Sequence, residues 1–162
     1  MIAIAAVDEN WGIGRGNKLL ARLPEDMRRF SALTAGGTVI MGRRTFESIP
    51  NAPLPNRETL LLTGSPENYP GIKCFLSIES LLDNIKSIDN KIYVCGGETV
   101  YRQLLPYCSQ ALITKVYHKF EADSFFPDLS AMPEWKIESQ SDDIITNLYR
   151  IRFLDFKNSQ KV

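Results

Sequence analysis

The chain has 162 residues, of which 44% are hydrophobic and 23% are charged, proportions typical of one ordinary globular domain with a sizeable core. Its 19 lysines and arginines balance its 19 aspartates and glutamates, so the composition gives no indication of a nucleic-acid partner. No apolar run approaches the roughly 20 residues of a membrane-spanning helix, and no secretory leader is recognisable. We therefore expect no membrane partner and a cytoplasmic location.

The first part of the chain predicts two buried strands separated by a long loop and a helix. Ile2–Val7 is a short apolar run without polar alternation, typical of a strand covered on both faces. Residues 8–18 contain three glycines and two asparagines, which predict a loop of the length used for binding segments or lids. A helix follows from Pro24, and residues 38–41 predict the second strand.

The rest of the chain alternates strands and helices before it ends in strands. Further strands are predicted at residues 59–63, 72–76, 91–95 and 111–117, with helices at 77–86 and 98–105 and a closing antiparallel hairpin formed by 135–138 and 148–156. From residue 158 onward we expect a frayed tail. The pattern predicts a single α/β domain over residues 1–162, with a mainly parallel central sheet of about eight strands, an antiparallel C-terminal edge hairpin and about four flanking helices.

The helix that begins at Pro24 carries an acid on its apolar face. Pro24 suits the first helical position, and Glu25 and Asp26 favour the positive end of the helix dipole. Asp26, Phe30 and Leu33 are spaced at i, i+4 and i+7, so the carboxylate shares the inward stripe. It is either a solvated first-turn aspartate or an acid in a hydrophobic cleft, where desolvation and a cationic ligand would tune its pKa.

Two junctions place glycine between a predicted strand and a predicted helix. Gly42-Arg43-Arg44-Thr45 would present backbone N–H groups and positive charge to a phosphate, although two arginines at a helix start are commonly just a solvated face. Gly96-Gly97 would let the backbone approach a ligand closely, but it is not a complete G-x-G-x-x-G motif. Both junctions follow the carboxyl ends of strands, where ligands bind in such sheets, so they could converge.

Cysteine and histidine provide little catalytic chemistry in this sequence. Cys74, Cys95 and Cys108 are scattered without a C-x-x-C motif, which indicates neither a disulfide framework nor a zinc site. Cys95 could be a nucleophile, but a cysteine in a buried strand is usually inert. His118 is the only histidine, so a Ser-His-Asp triad would have to use it as base, and we expect an exposed structural role for it instead.

Seven motifs, in this order, resemble those of the dihydrofolate reductase family over residues 2–156. They are A-x-x-x-x-x-G-I-G-x-x-x-x-L, L-P-E-D-M-x-x-F, V-I-M-G-R-R-T-F-E-S-I, P-L-P-N-R, G-G-E-T-V-Y, I-T-K-V and D-S-F-F-P-D. The resemblance implies a bacterial-type, NADPH-dependent enzyme of one-carbon metabolism, a monomer that also binds antifolates. The implied reaction reduces 7,8-dihydrofolate to 5,6,7,8-tetrahydrofolate by hydride transfer to C6 with protonation at N5.

The resemblance also assigns site residues and favours the cleft interpretation of Asp26. Asp26 would bind the pterin and promote protonation at N5, and Thr114 would hydrogen-bond its carboxylate; no metal is implied. Arg57 would hold the folate α-carboxylate, and Arg43 would contact the 2′-phosphate of NADPH. The implied substrate contacts are Ile4, Ala5, Asp26, Met27, Phe30, Ile49, Arg57, Cys95, Tyr101 and Thr114. The implied cofactor contacts are Ala6, Ile13, Gly14, Leu19, Gly42, Arg43, Arg44, Thr45, Leu62, Thr63, Gly64, Cys95, Gly96, Gly97, Thr99, Val100 and Tyr101.

The chain departs from the family pattern in the lid, where Leu20-Ala21 replaces the usual Pro-Trp. The departure predicts altered lid dynamics and weaker or shifted antifolate binding. A related reductase of another heterocycle, of the riboflavin-pathway type, is the alternative function. Asp26 and Arg57 argue against it, because those substrates carry no glutamate tail. A non-catalytic nucleotide-binding module is a third class.

Overall fold

A twisted, mainly parallel sheet runs through the middle of the molecule. The computed structural model describes residues 1–161, and nine strands of that part form the central sheet. The strands of the chain are β1 (Ile2–Val7), β2 (Gly12–Gly14), β3 (Thr38–Gly42), β4 (Glu58–Leu62), β5 (Lys73–Phe75), β6 (Ile92–Val94), β7 (Gln110–Val116), β8 (Ser124–Phe125), β9 (Trp135–Gln140), β10 (Ile144–Thr146) and β11 (Tyr149–Asn158).

The sheet has the order β10-β11-β7-β1-β6-β3-β4-β5, and β9 also pairs with β11. The six neighbouring strands β7-β1-β6-β3-β4-β5 all pair in parallel. β11 is antiparallel to β7, β9 and β10. The order reverses at β1, which lies between β6 and β7, and such a reversal opens a crevice at the carboxyl ends of the strands.

Helices cover both faces of this sheet. Within the described residues the α-helices are α1 (Pro24–Thr34), α2 (Arg43–Ser48), α3 (Ile78–Ile85) and α4 (Glu98–Leu104). α1 begins at Pro24 as predicted, and its first turn carries Glu25 and Asp26. α3 begins after Ser77, whose hydroxyl accepts a hydrogen bond from the Ser80 N–H at 3.1 Å.

Successive strand residues point to opposite faces and build two apolar layers. Ile40 and Leu60 pack in the layer that contains Leu81 of α3, whereas Met41 and Leu61 pack in the layer on the α2 side. All four strand residues are at most 1% exposed. This two-sided burial explains why the parallel strands are continuous apolar runs without polar alternation.

The structure confirms the predicted α/β architecture and differs from the prediction in three details. β2, β8 and β10 were not predicted, because each has only two or three residues and, unlike the equally short β5 and β6, lies outside any longer apolar run. The closing hairpin joins β10 to β11, and β9 pairs with the far end of β11. The tail is not frayed at Asn158, which is 3% exposed and donates a hydrogen bond from Nδ2 to the Cys108 carbonyl at 3.1 Å.

Across residues 1–161, no helix combines the length and apolar character needed to cross a membrane. His118 is exposed, as expected, and its ring lies 4.5 Å from that of Phe120 and 5.4 Å from that of Tyr149. It lies beyond the end of β7 in a small aromatic cluster. These contacts are consistent with the expected structural role.

Candidate active site

A cavity of about 570 Å³ opens at the carboxyl edge of the sheet. Ala5 and Ala6 border it from β1, Gly42 from the end of β3, Leu62 from the end of β4, and Cys95 from the residue after β6. The topology therefore gathers four strand ends around one cleft, at the position that parallel α/β sheets use for ligands.

The residues assigned to the cofactor by resemblance all line this cavity. They are Ala6, Ile13, Gly14, Leu19, Gly42, Arg43, Arg44, Thr45, Leu62, Thr63, Gly64, Cys95, Gly96, Gly97, Thr99, Val100 and Tyr101. They come from six separate stretches of sequence, and the fold brings them to one surface. Their roles toward a ligand remain predictions.

The two glycine junctions lie side by side at one end of the cavity. The Gly42 N–H donates a hydrogen bond to the Gly96 carbonyl at 2.9 Å. A Cβ atom built on Gly97 would lie 3.5 Å from the Thr45 hydroxyl, and one on Gly42 would lie 3.2 Å from Val100. A side chain at either position would occupy or crowd the floor of the cleft, so glycine keeps this backbone open to a ligand.

Positive charge stands at the same end of the cleft. Arg43 and Arg44 form the exposed first residues of α2, and Arg43 pairs with Glu47 one turn later at 3.2 Å. The Glu47 carboxylate also accepts a hydrogen bond from the Tyr69 hydroxyl at 2.5 Å. Guanidinium groups, a hydroxyl and unobstructed backbone N–H groups are the donor set that phosphate requires, so this end of the cavity fits a phosphorylated cofactor.

The carboxylate of Asp26 lies half-buried at the start of α1. The Thr114 hydroxyl, on β7 and 2% exposed, donates a hydrogen bond to Asp26 Oδ1 at 2.5 Å. Burial raises the pKa of Asp26 above its usual range, while the Thr114 hydrogen bond and the charge of Arg29 act in the lowering direction. The structure thus brings together the acid and the hydroxyl that the sequence placed 88 residues apart.

Tyr101 and Cys95 are two titratable residues that line the cavity. The Tyr101 hydroxyl donates a hydrogen bond to the Ile4 carbonyl at 2.6 Å. Burial, followed by the charges of Cys95 and Asp26, raises the pKa of Tyr101 well above its usual value. Burial raises the pKa of the Cys95 thiol to about 12, against the lowering effect of Arg57. A thiol that stays protonated is a poor nucleophile, so the alternative role for Cys95 is not favoured.

The remaining residues assigned to the substrate lie beside the cavity and do not line it. Arg57 stands over the Phe30 ring at 5.9 Å and donates a hydrogen bond to the Ser31 carbonyl at 3.4 Å. Its buried Nε has no hydrogen-bond partner within residues 1–161. Ile4 and Ile49 pack in the apolar layer on the α2 side, whereas Met27 is 44% exposed. Of the residues assigned to the substrate, only Ala5, Cys95 and Tyr101 line the cavity itself.

Sequence reasoning missed several residues that line the cavity. They are Asn17, Lys18, Ser48, Leu76, Ser77, Ile78, Glu98, Gln103 and Ser124. Ser77 caps α3 and Ile78 is its first residue, shortly after β5 ends, and the rule that ligands bind at carboxyl strand ends could have found them. No local signal could have found Ser124, because it reaches the cavity only through the pairing of β2 with β8.

The loop that follows β1 is held against the segment that contains β8. Asp8 is 1% exposed, and its carboxylate accepts hydrogen bonds from the N–H groups of Asn10, Gly12 and Phe120 at 2.8–2.9 Å. Farther along, Asp123 accepts a hydrogen bond from the Gly16 N–H at 2.9 Å. These contacts set the wall of the cavity formed by Ile13, Gly14 and Leu19.

The fold and the cavity define a class of protein, namely α/β proteins with a large cleft at a topological reversal of a mainly parallel sheet. A family model described as dihydrofolate reductase matches residues 1–158. The chain is 39% identical to a dihydrofolate reductase of Bacillus subtilis (strain 168), covering 98% of this chain and 95% of that protein. It is 35% identical to a dihydrofolate reductase of Haemophilus influenzae, and the match covers 93% of this chain and 94% of that protein.

A solved structure described as dihydrofolate reductase from Enterococcus faecalis complexed with NADP(H) and RAB-propyl is similar throughout. It has a TM-score of 0.88 and 32% identity, and the match covers 97% of this chain and 95% of that one. The chain belongs to the dihydrofolate reductase family and is an oxidoreductase of that family.

Proposed function

We propose that this chain reduces 7,8-dihydrofolate to 5,6,7,8-tetrahydrofolate with NADPH as reductant. The observation that carries the proposal is the half-buried Asp26 carboxylate, fixed by Thr114 beside a cleft of cofactor size. Membership of the family supports the reaction, and the NADP(H) bound by the similar enterococcal enzyme supports the cofactor. Residues of one chain line the cleft, and we expect the protein to act as a monomer.

The cleft has the groups that a dinucleotide phosphate requires. Gly96 and Gly97 would take the pyrophosphate, with Thr45 above them, and Arg44 would add charge at the start of α2. Arg43 would contact the 2′-phosphate and compete with its partner Glu47 for it. When bound, NADPH supplies the hydride that is added to C6 of the substrate.

Asp26 has the position and the environment of an acid that promotes protonation at N5. Thr114 occupies one carboxylate oxygen, which leaves the other free to accept hydrogen bonds from the pterin 2-amino group and ring N–H. Because burial raises the pKa of Asp26, more of it stays protonated near neutral pH than for a solvated aspartate. Tyr101 stays neutral near it, because burial raises the pKa of its hydroxyl well above the usual value, so it does not compete for the proton.

The neighbouring residues position and enclose the substrate. Arg57 would hold the α-carboxylate of the glutamate tail with two parallel N–H donors, a geometry that lysine cannot reproduce. Phe30 and Ile49 would enclose the aminobenzoyl group, and Ile4 the pterin, and these apolar walls exclude water. A dry, aligned pocket is the main requirement of this reaction on the protein side.

The test is a spectrophotometric assay of NADPH oxidation with dihydrofolate, with NADH and with a ribosylaminopyrimidine as comparison reactants. We expect turnover with dihydrofolate and NADPH, and we expect Asp26→Asn to lower it at pH 7 by roughly 10²–10⁴-fold. The loss should shrink at low pH, where solvent protonates the substrate directly. Glu25→Gln, one residue away and paired with Arg28, is the matched control and should keep the rate.

Two results would contradict the proposal. Turnover of the ribosylaminopyrimidine without turnover of dihydrofolate would assign the chain to the alternative class of reductase. An unchanged rate for Asp26→Asn at pH 7 would remove Asp26 from the mechanism.

A further inference from the structure

A second charged side chain of α1 points toward the sheet beside Asp26. Arg29 lies three residues after Asp26, and side chains at this spacing are neighbours on a helix surface. Its guanidinium donates a hydrogen bond to Asp155 Oδ1 at 2.7 Å and lies 4.3 Å from the centre of the Phe153 ring. The Arg29 side chain is only 21% exposed, so this pair is better shielded from solvent than the Glu25–Arg28 pair of the same helix.

The register of the sheet shows that both contacts belong to one seam between α1 and the sheet. Phe153 of β11 lies directly opposite Thr114 of β7, and Asp155 lies opposite Leu112. Paired residues in antiparallel strands share a face, so Thr114, Phe153 and Asp155 all face α1. The Ser139 hydroxyl of β9 donates a hydrogen bond to Asp155 Oδ2 at 3.2 Å and fixes its carboxylate.

Among the titratable groups around this seam, Arg29 is the one whose positive charge acts on Asp26. Tyr101 from α4 stands near Asp26 as a neutral group, because burial raises its pKa well above the usual value. Arg57 acts on Cys95, and Glu25 pairs with Arg28 on the outer surface of α1. The charge of Arg29 acts to lower the pKa of Asp26, in opposition to burial.

We propose that Arg29 is a positioning residue for Asp26, and that Asp155 determines how much of the guanidinium charge reaches the catalytic carboxylate. The inference rests on the proposed role of Asp26 as the acid. A guanidinium close to Asp26 favours its ionised form, and a carboxylate that holds and partly offsets that guanidinium favours its protonated form. The ion pair therefore adjusts the fraction of Asp26 that can assist protonation at a given pH.

Substitutions of the two partners should have opposite effects, and that is the basis of the test. Arg29→Met should raise the pKa of Asp26 by about 0.5–1 pH unit, and Asp155→Asn should lower it by a similar amount. Arg29→Lys keeps the charge and should restore the value of the unmodified chain. Arg28→Met removes the same charge from the adjacent, solvent-facing position and is the matched control, expected to leave the value unchanged.

Two readouts separate this inference from a purely structural role. The first is the carboxyl ¹³C chemical shift of Asp26 titrated in the free protein, assigned by comparison with Asp26→Asn. The second is the pH dependence of the rate of NADPH oxidation with dihydrofolate, whose midpoint should move in the same direction as the chemical-shift midpoint. Melting temperatures of all variants report how much stability each substitution removes.

The possible outcomes each decide the question. Opposite shifts of the midpoint for Arg29→Met and Asp155→Asn support the inference. Unchanged midpoints with lowered melting temperatures would show that the pair only fastens α1 to the sheet, and shifts in the same direction would exclude a charge effect. If the chemical-shift midpoints move as expected but the rate of Asp26→Asn equals that of the unmodified chain, the proposed acid fails and the charge coupling stands.

Discussion

Burial and hydrogen bonding act on the Asp26 carboxyl in opposite directions, and burial has the larger effect. A carboxylate whose ionised form is disfavoured in the folded protein makes the fold less stable at pH values where it must ionise. The acid thus illustrates a common trade-off, in which a residue placed for chemistry lowers the stability of the protein that contains it.

This trade-off predicts that Asp26→Asn stabilises the protein at neutral pH. Because the folded-state pKa lies above the unfolded-state pKa, the folded protein binds more protons between the two values, and the stability due to Asp26 is lost as pH rises through that window. The variant should melt roughly 2–4 °C higher at pH 7, and the difference should disappear below about pH 4. Calorimetry at both pH values measures it.

The Asn side chain can still accept the hydrogen bond from Thr114, so the comparison isolates the charge. Glu25→Gln is again the control, because that carboxylate pairs with Arg28 at the surface. A variant that melts below the unmodified protein at pH 7 would show that the ionised carboxylate is stabilising in the fold.

At the residue scale, the sequence placed Asp26 on the inward stripe of α1 but left open whether its carboxylate is solvated or lies in a cleft, and only the resemblance favoured the cleft. Its spacing from Phe30 and Leu33 identified the inward stripe of α1, because helical periodicity is a local property. Thr114 was found only through resemblance, and Arg29 was not singled out at all. A basic residue beside an acid on a helix is usually part of a solvated face, and Arg29 is shielded only because α1 packs against β11, which is distant in sequence.

At the scale of elements, the loop after β1 and the segment around β8 act as one unit. Asp8 joins them, since its two oxygens accept one N–H from Phe120 and two from its own loop. The pairing of β2 with β8 extends the contact, and Asp123 continues it toward Gly16. The long loop was predicted from its glycines, but its partner was not, because nothing local in residues 8–18 indicates the segment that covers them.

This arrangement predicts that Asp8→Asn destabilises the protein more than the same substitution at Asp123. The asparagine amide replaces one acceptor oxygen with a donor, so in either orientation it faces a buried N–H that it cannot pair with. The cost should be about 1–3 kcal/mol, whereas the exposed Asp123→Asn should cost less than about 0.5 kcal/mol. Urea denaturation of the two variants measures both values, and equal losses would show that the Asp8 contacts are not important for stability.

At the scale of the whole molecule, the alternation of strands and helices was sufficient to predict a mainly parallel sheet with a ligand at its carboxyl edge. The strand order could not be predicted in the same way, because the position of β1 between β6 and β7 depends on packing over the whole chain. That order is what gathers Ala6, Gly42 and Gly97 around one cleft. The resemblance assigned these three residues to one cofactor site, which the periodicity of the sequence could not do.

Residues at four strand ends line the cleft, so a cofactor bound there would contact all four and should stabilise the entire fold. A ligand at 100 times its Kd adds about 2.7 kcal/mol, which for a chain of this size raises the Tm by roughly 5–10 °C. We expect this increase with NADPH and a smaller one with NADH at the same concentration. The 2′-phosphate that Arg43 would contact is present in NADPH and absent from NADH. Differential scanning fluorimetry without substrate measures this increase in Tm independently of turnover.

Arg43→Ala should reduce the Tm increase caused by NADPH to that caused by NADH, whereas Lys136→Ala on the remote β9 should leave both increases unchanged. Equal effects of the two cofactors on the unmodified chain would show that Arg43 does not select between them.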